Sequence, residues 1–228
     1  PSIISSDLVQ SLVLPPDVGI CNDCLSDFYN RDNSRYYHYP FIACAECGPR
    51  YSTVIQLPYD RERTTMDEFP LCGDPKHLEP HTCLSEYSDV NNRRFHAQTF
   101  SCSNCGPKYL DSVSKAIDLI KNGKIIAVKG IGGTHLVCSA LNREAIETLR
   151  QRKGGRKYKP FALMYPSLES LQRSGQFNIS DVETRLLTSF RRPIILLDKS
   201  DGYSLPDNIA PRLPNVGIML PYAGIHYL

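Results

Sequence analysis

The chain has 228 residues, enough for one large domain or two small ones. With 41% hydrophobic and 22% charged residues it reads as a folded globular protein, which excludes disordered and collagen-like classes. The net charge of +2 conceals a split: residues 1–110 carry 9 Lys and Arg against 14 Asp and Glu, and residues 111–228 carry 17 against 10. An acidic half followed by a basic half predicts two modules, with an anionic ligand on the second.

The opening residues, PSIISSDLVQSLVL, hold no basic segment and no compact apolar stretch, so no signal peptide is read there. The first residue is Pro rather than Met, which predicts a chain processed or cut from something longer. No apolar run approaches the roughly 18 residues of a membrane helix, and no membrane association is expected. Eight of the nine cysteines lie between Cys21 and Cys105. Without a secretory signal, a cytoplasmic setting is expected. Paired cysteines at short spacings then read as metal ligands before they read as disulfides.

Residues 1–110 read as a duplicated unit. Cys21-x2-Cys24 is followed after 19 residues by Cys44-x2-Cys47, and Cys72-x10-Cys83 is followed after 18 by Cys102-x2-Cys105. CLSDF at Cys24 returns as CLSEY at Cys83, and CAECGPRY at Cys44 returns as CSNCGPKY at Cys102. His38 and His96 each stand six residues before the next Cys. Zinc takes four soft ligands in a tetrahedron, and two thiolates of one C-x-x-C turn fill two corners. Two structural zinc ions are expected, closed to solvent because every ligand is a Cys. In the stretched half of the second cluster, Cys72 and Cys83 meet if residues 73–82 loop out. His81 is the alternative ligand, and otherwise His77 and His81 are loop residues. Whether the cysteines pair in order or interleave stays open. Disulfides or a redox relay are the competing reading. Gly48 and Gly106 follow the knuckles and supply a permissive backbone. Little helical or strand periodicity appears here and Pro is frequent, so metal must supply on the order of 10 kcal/mol of folding free energy per site. Phe28, Tyr36, Tyr37, Tyr39, Phe41, Phe95 and Phe100 are expected around the metal loops. Stacking on nucleic-acid bases is the alternative, which the acidic balance opposes.

From residue 112 the pattern becomes α/β. SVSKAIDLIKNG reads as an amphipathic helix ended by Gly123, and KIIAVKG as a short strand. GIGGTHLVCSA reads as a glycine-rich loop. REAIETLRQRK reads as a helix capped by Asn142. PFALMYP, PIILL and VGIML read as strands, with a further helix near residues 181–187. Cys138 is expected as a small buried hydrophobe. Arg150, Arg152, Lys153, Arg156, Lys157 and Lys159 crowd a helix-to-strand turn with Gly154 and Gly155. They read as a polyphosphate clamp, with residues 129–136 as the second lip, or else as a solvated charged face.

CNDCL…YPFIACAECGPRY, LPYDRERTTM, RRFHAQTFSCSNCGP, GKIIAVKGIGGTHLVC, LRQRK…KPFALM, RPIILL and VGIMLPYAGIH resemble the HypF hydrogenase-maturation carbamoyltransferases over nearly the whole chain. The resemblance implies an α+β arrangement: tandem four-cysteine zinc fingers over 1–110, then an incomplete YrdC-like α/β nucleotide-binding domain over 111–228. An acylphosphatase domain would precede them and a carbamoyl-transfer domain would follow. It implies an ATP-dependent carbamoyltransferase that takes carbamoyl phosphate or carbamate, and ATP with magnesium. The product is a carbamoyl-adenylate, and the carbamoyl group passes to the C-terminal cysteine of a HypE-like acceptor for the cyanide ligand of [NiFe]-hydrogenase. The present stretch alone is expected to be inactive. By resemblance the nucleotide meets Lys153, Arg156 and Lys159; Lys129, Gly130, Gly132 and Gly133 belong to the second lip read from the glycine-rich segment, and the substrate pocket involves His226 and His135, the latter otherwise a structural histidine. The sequence departs from the family in the extra Gly between Lys153 and Arg156, and in Lys157, Thr134 and Ser139 where Pro, Phe and Asp are usual. No catalytic residue is assigned. The alternative is a YrdC-type tRNA-modification enzyme or a nucleic-acid-binding zinc protein.

Overall fold

The structure, a computed structural model, describes residues 16–48, 50–76, 81–155 and 157–228. Two short helices, α1 (Asn22–Tyr29) and α2 (Cys83–Ser88), occupy equivalent places in the two repeats. Their periodicity is too short to read in the sequence, because each is a two-turn piece started by a metal-site cysteine. The Cys21 side chain caps α1 by accepting from Cys24 N at 3.4 Å. In the second repeat the insertion separates those duties, and Thr82 caps α2 in a reciprocal box with Ser85. A shared core forms between the fingers from Phe28, Tyr36, Tyr39, Phe100 and buried cysteines. The linker is pinned by Arg61, whose guanidinium donates to the carbonyls of Gln98 (2.9 Å) and Phe100 (2.8 Å).

The basic half opens with α3 (Val113–Lys121), capped by Ser112 and ended at Gly123 with φ +71°. β1 (Ile126–Gly130) and β2 (Gly133–Val137) form an antiparallel hairpin with Gly130 opposite Gly133. The expected glycine-rich loop is therefore a two-residue turn plus a strand. Gly132 at φ +82° makes the turn, and THLV supplies the strand that two neighbouring glycines mask in the sequence. Next come α4 (Arg143–Arg152), β3 (Leu163–Met164), α5 (Leu168–Ser174), α6 (Asp181–Thr188), β4 (Ile195–Asp198), β5 (Asn215–Met219) and α7 (Gly224–Tyr227). β5 is the central strand of a three-stranded sheet, parallel to β3 and antiparallel to β4. β3 is only two residues long, since Pro160 and Pro166 flank it and neither can donate to a ladder. Ile146 of α4, Leu171 of α5 and Leu187 of α6 meet Leu197, Val216 and Ile218 of the sheet in a second core.

The two halves touch closely. Gly224 of α7 lies on Pro40, where a Cβ would come 2.4 Å from the Pro40 carbonyl oxygen. Tyr227 and Leu228 join the finger core, and Tyr109 Oη donates to the Lys129 carbonyl at 2.7 Å. No helix among the described residues is long and apolar enough to cross a membrane.

Candidate metal centres and the basic segment

The cysteines gather in order, not interleaved: Cys21, Cys24, Cys44 and Cys47 in one cluster, Cys72, Cys83, Cys102 and Cys105 in the other. In the first, Sγ–Sγ distances are 3.6 Å (Cys21–Cys44), 3.7 Å (Cys24–Cys47) and 3.9 Å (Cys44–Cys47). In the second they are 3.8 Å (Cys72–Cys102), 3.7 Å (Cys102–Cys105) and 3.5 Å (Cys83–Cys105). Zn–S bonds of about 2.3 Å in a tetrahedron place sulfurs about 3.8 Å apart. A disulfide needs about 2.05 Å. The donor set and its spacing therefore fit zinc, and all nine cysteines are free thiols.

The eight extra residues between Cys72 and Cys83 do not spoil the second site. Cys83 N donates to Cys72 Sγ at 3.5 Å, as Cys24 N does to Cys21 Sγ at 3.4 Å. Leu84 N reaches the Cys72 carbonyl at 2.9 Å, as Leu25 N reaches that of Cys21 at 2.9 Å. His81 is exposed at φ +66° and stands outside the cluster, and His77 lies outside the described residues. His38 and His96 are not ligands; both take left-handed backbone (φ +54° and +50°) and stack on Tyr37 and Tyr87. Cys44 and Cys102, equivalent in the repeat, have thiols held well below the usual range. Hydrogen bonds from Cys24 to the first and from Cys105 to the second are the main cause. Gly48 turns at φ +70°, as read from the sequence. Gly106 is needed for a different reason: a Cβ there would stand 2.0 Å from Tyr39 Oη and 2.2 Å from Ser101 Oγ.

The basic segment divides. Arg150 points inward, 4% exposed, and donates to the carbonyls of Lys159 (2.8 Å) and Asn208 (2.5 Å). Lys153 is the C-terminal cap residue of α4, and both it and Lys159 are exposed; Arg156 lies outside the described residues. A cavity of about 620 Å³ is lined by Arg143, Arg150, Lys157, Lys199 and Arg212 with the acids Glu147 and Asp207, and neither Lys153 nor Lys159 is part of its lining. Lys129, Gly130, Gly132 and Gly133 line another, of about 930 Å³, between the hairpin and the fingers. The structure does not bring the two expected lips into one cavity, because the hairpin turn faces the finger module.

Behind the hairpin, His135 Nε2 and Tyr222 Oη are 3.0 Å apart, and His226 Nδ1 accepts from Ala223 N at 3.3 Å. The His135 and His226 rings stand 5.8 Å apart. Burial, then the neighbouring His135, pushes His226 down to about 4. Cys138 is half-buried against the second core.

Sequence reasoning passed over Arg35, Arg93, Asp27 and Glu86, which bind the fingers to each other. Arg35 Nη1 meets Glu86 at 2.7 Å, Arg94 meets Glu86 at 3.2 Å, and Arg93 and Arg94 both pair with Asp27. The signal was present: Asp27 and Glu86 are offset by 59 residues, Arg35 and Arg93 by 58, as the cysteines are.

Comparison with known proteins agrees with this arrangement. Residues 20–54 and 81–110 match the family model described as HypF finger. Residues 118–228 match the Sua5/YciO/YrdC family model, described as telomere recombination. The carbamoyltransferase HypF of Rhodobacter capsulatus is 41% identical over 225 residues, covering 93% of this chain and 28% of that protein. The chain is similar to HypF proteins over nearly its whole length. A probable carbamoyltransferase HypF of Methanocaldococcus jannaschii is 41% identical over 94% of the chain. The crystal structure of T. kodakarensis HypF superposes with a TM-score of 0.83 at 46% identity, covering 94% of this chain and 28% of that one. A full-length HypF in its phosphate- and nucleotide-bound form gives 0.81 at 44% identity. The chain thus spans under a third of the length of these HypF relatives. The finger match omits residues 55–80, and the structure supplies from that interval the ligand Cys72.

Proposed function

We propose that this chain is the zinc-finger and YrdC-like portion of a HypF-type carbamoyltransferase. In that reading carbamoyl phosphate and ATP with magnesium yield a carbamoyl-adenylate, and the carbamoyl group passes to the C-terminal cysteine of a HypE-like acceptor. The two zinc ions are structural: four thiolates at each leave no position for water. Lys153, Arg156 and Lys159 meet the polyphosphate, a reading supported by the exposure of Lys153 and Lys159 on the basic segment whose Gly155 and Lys157 line a cavity. Lys129, Gly130, Gly132 and Gly133 enter as nucleotide contacts from the glycine-rich sequence alone, since they line the separate cavity toward the fingers, and His135 and His226 line the substrate pocket.

The observation that carries the reading is that finger and YrdC-like modules follow one another in the same order, at 41% identity, across 93% of the chain. The test is carbamoyl-phosphate-dependent release of pyrophosphate from ATP by the protein that carries this chain. Lys153→Ala is expected to weaken ATP binding by about 1–3 kcal/mol, the range of a charged hydrogen bond. Pyrophosphate release indifferent to carbamoyl phosphate would overturn the reaction, and release indifferent to Lys153→Ala would overturn the placement of the phosphates.

A further inference from the structure

Thiols are only part of each metal centre; each also receives an arginine from the opposite repeat. Arg35, on the loop of the first finger, donates from Nη2 to Cys83 Sγ of the second at 2.9 Å. Arg93, on the loop of the second, donates from Nη1 to Cys24 Sγ of the first at 3.0 Å. The exchange extends to the main chain. Ser103 N, inside the second knuckle, donates to the Arg35 carbonyl at 3.0 Å, and Ala45 N, inside the first, donates to the Arg93 carbonyl at 3.0 Å. The acids are crossed as well, since Arg35 pairs with Glu86 of α2 and Arg93 with Asp27 of α1.

We infer that Arg35 and Arg93 join the two zinc sites into one cooperative unit, so that filling either site prepares the other. The reason is topological. Arg35 lies on the stretch that Cys24 and Cys44 close when the first site binds its ion. Arg93 lies on the stretch that Cys83 and Cys102 close when the second site does. An ion at one site thus fixes the arginine that the other site uses. That arginine then does two things at the far site. Its guanidinium offsets part of the net charge of −2 on a zinc held by four thiolates, at a position only 15–26% exposed where water screens poorly. Its carbonyl fixes the knuckle that carries two ligands. Arginine suits the task because its planar fork grips a thiolate and a carboxylate at once. Coupling of this kind is reciprocal by linkage.

The test is partial loading. Metal-free chain is given one equivalent of zinc, and the zero-, one- and two-ion forms are counted by native mass spectrometry. The chain is expected to divide between the empty and doubly loaded forms. Independent sites would make the singly loaded form the main species, and that result overturns the proposal. Arg35→Ala with Arg93→Ala is expected to make the singly loaded form dominant; all-or-none loading in that variant overturns the role of the arginines. A second measurement needs no arginine change. Cys102→Ser with Cys105→Ser removes the second site, and chelator competition then reads the first. Its zinc affinity is expected to fall about 5–150-fold, the usual span of a coupling between sites. An unchanged affinity removes the coupling altogether.

Discussion

At the residue scale, three positions separate a buried structural cation from an exposed one. Arg150 and Lys153 are three apart and look alike in sequence, yet Arg150 is buried against main-chain carbonyls with its guanidinium 4.7 Å from the Phe161 ring, and Lys153 is exposed. Arg150→Ala leaves the Lys159 and Asn208 carbonyls without that donor and is expected to cost about 2–3 kcal/mol of stability. Lys153→Ala is expected to cost under about 0.5 kcal/mol, as exposed substitutions do. Urea unfolding of both variants checks the contrast. His226 gives a second residue-scale prediction. Its folded value of about 4 lies below the ordinary 6.5. Between those values the unfolded chain binds the extra proton, so stability is full above pH 6.5 and declines as pH falls toward 4. Since the ring is not fully buried, the loss attributable to it is about 1–2 kcal/mol after solvent screening. Comparing the pH 7 to pH 4.5 change in unfolding free energy for the unaltered chain and His226→Gln isolates it. Equal changes would show that His226 titrates normally.

Elements were legible where local chemistry alone decides them. Asn142 was readable as a cap and does cap α4, its Oδ1 accepting from Ala145 N at 2.9 Å. It also closes on the end of α3, where a Cβ at Gly123 would meet its Nδ2 at 2.6 Å. Asn142→Ala is therefore expected to cost about 1 kcal/mol from the lost cap, which thermal unfolding can measure. The duplicated cysteines were legible for the same reason: thiolate spacing reflects one ion's geometry. β2 was not legible, because Gly132 and Gly133 read as loop until pairing with β1 places Gly133 in a strand. α1 and α2 were hidden because tertiary contacts to the metal site, not a periodic apolar face, hold such short helices. Nor could spacing show that Arg150 turns inward, which depends on carbonyls of residues 208 and 209, nearly sixty positions away. Charge pattern reports that cations are close in the chain, and only the fold reports which of them face water.

At the scale of the whole molecule, the division of the sequence at residue 110 is not a division of packing. α7 lies at the far end of the chain, yet Tyr227 sits 6.2 Å from Phe28 and Leu228 joins the finger core. Ile20 N donates to the Tyr222 carbonyl at 3.2 Å, and Gly19 N to that of Phe190 at 2.8 Å. Among the described residues, the sheet core of Leu171, Leu187, Leu197, Val216 and Ile218 contains none from the fingers. Metal removal should therefore spread in a defined order. Chelation is expected to release two zinc ions per chain and to unfold the fingers, since their folding free energy depends on the ions. Amide protection should then fall along residues 222–228 and along the β1–β2 hairpin, whose Lys129 carbonyl loses Tyr109. The hairpin is the more vulnerable because two strands alone are marginal in water. Protection of β4 and β5 should persist, since that sheet closes on its own helices. Hydrogen exchange before and after chelation distinguishes the cases. Loss confined to the fingers would show that α7 holds its place without them, and simultaneous loss in β5 would show a single cooperative unit spanning both cores.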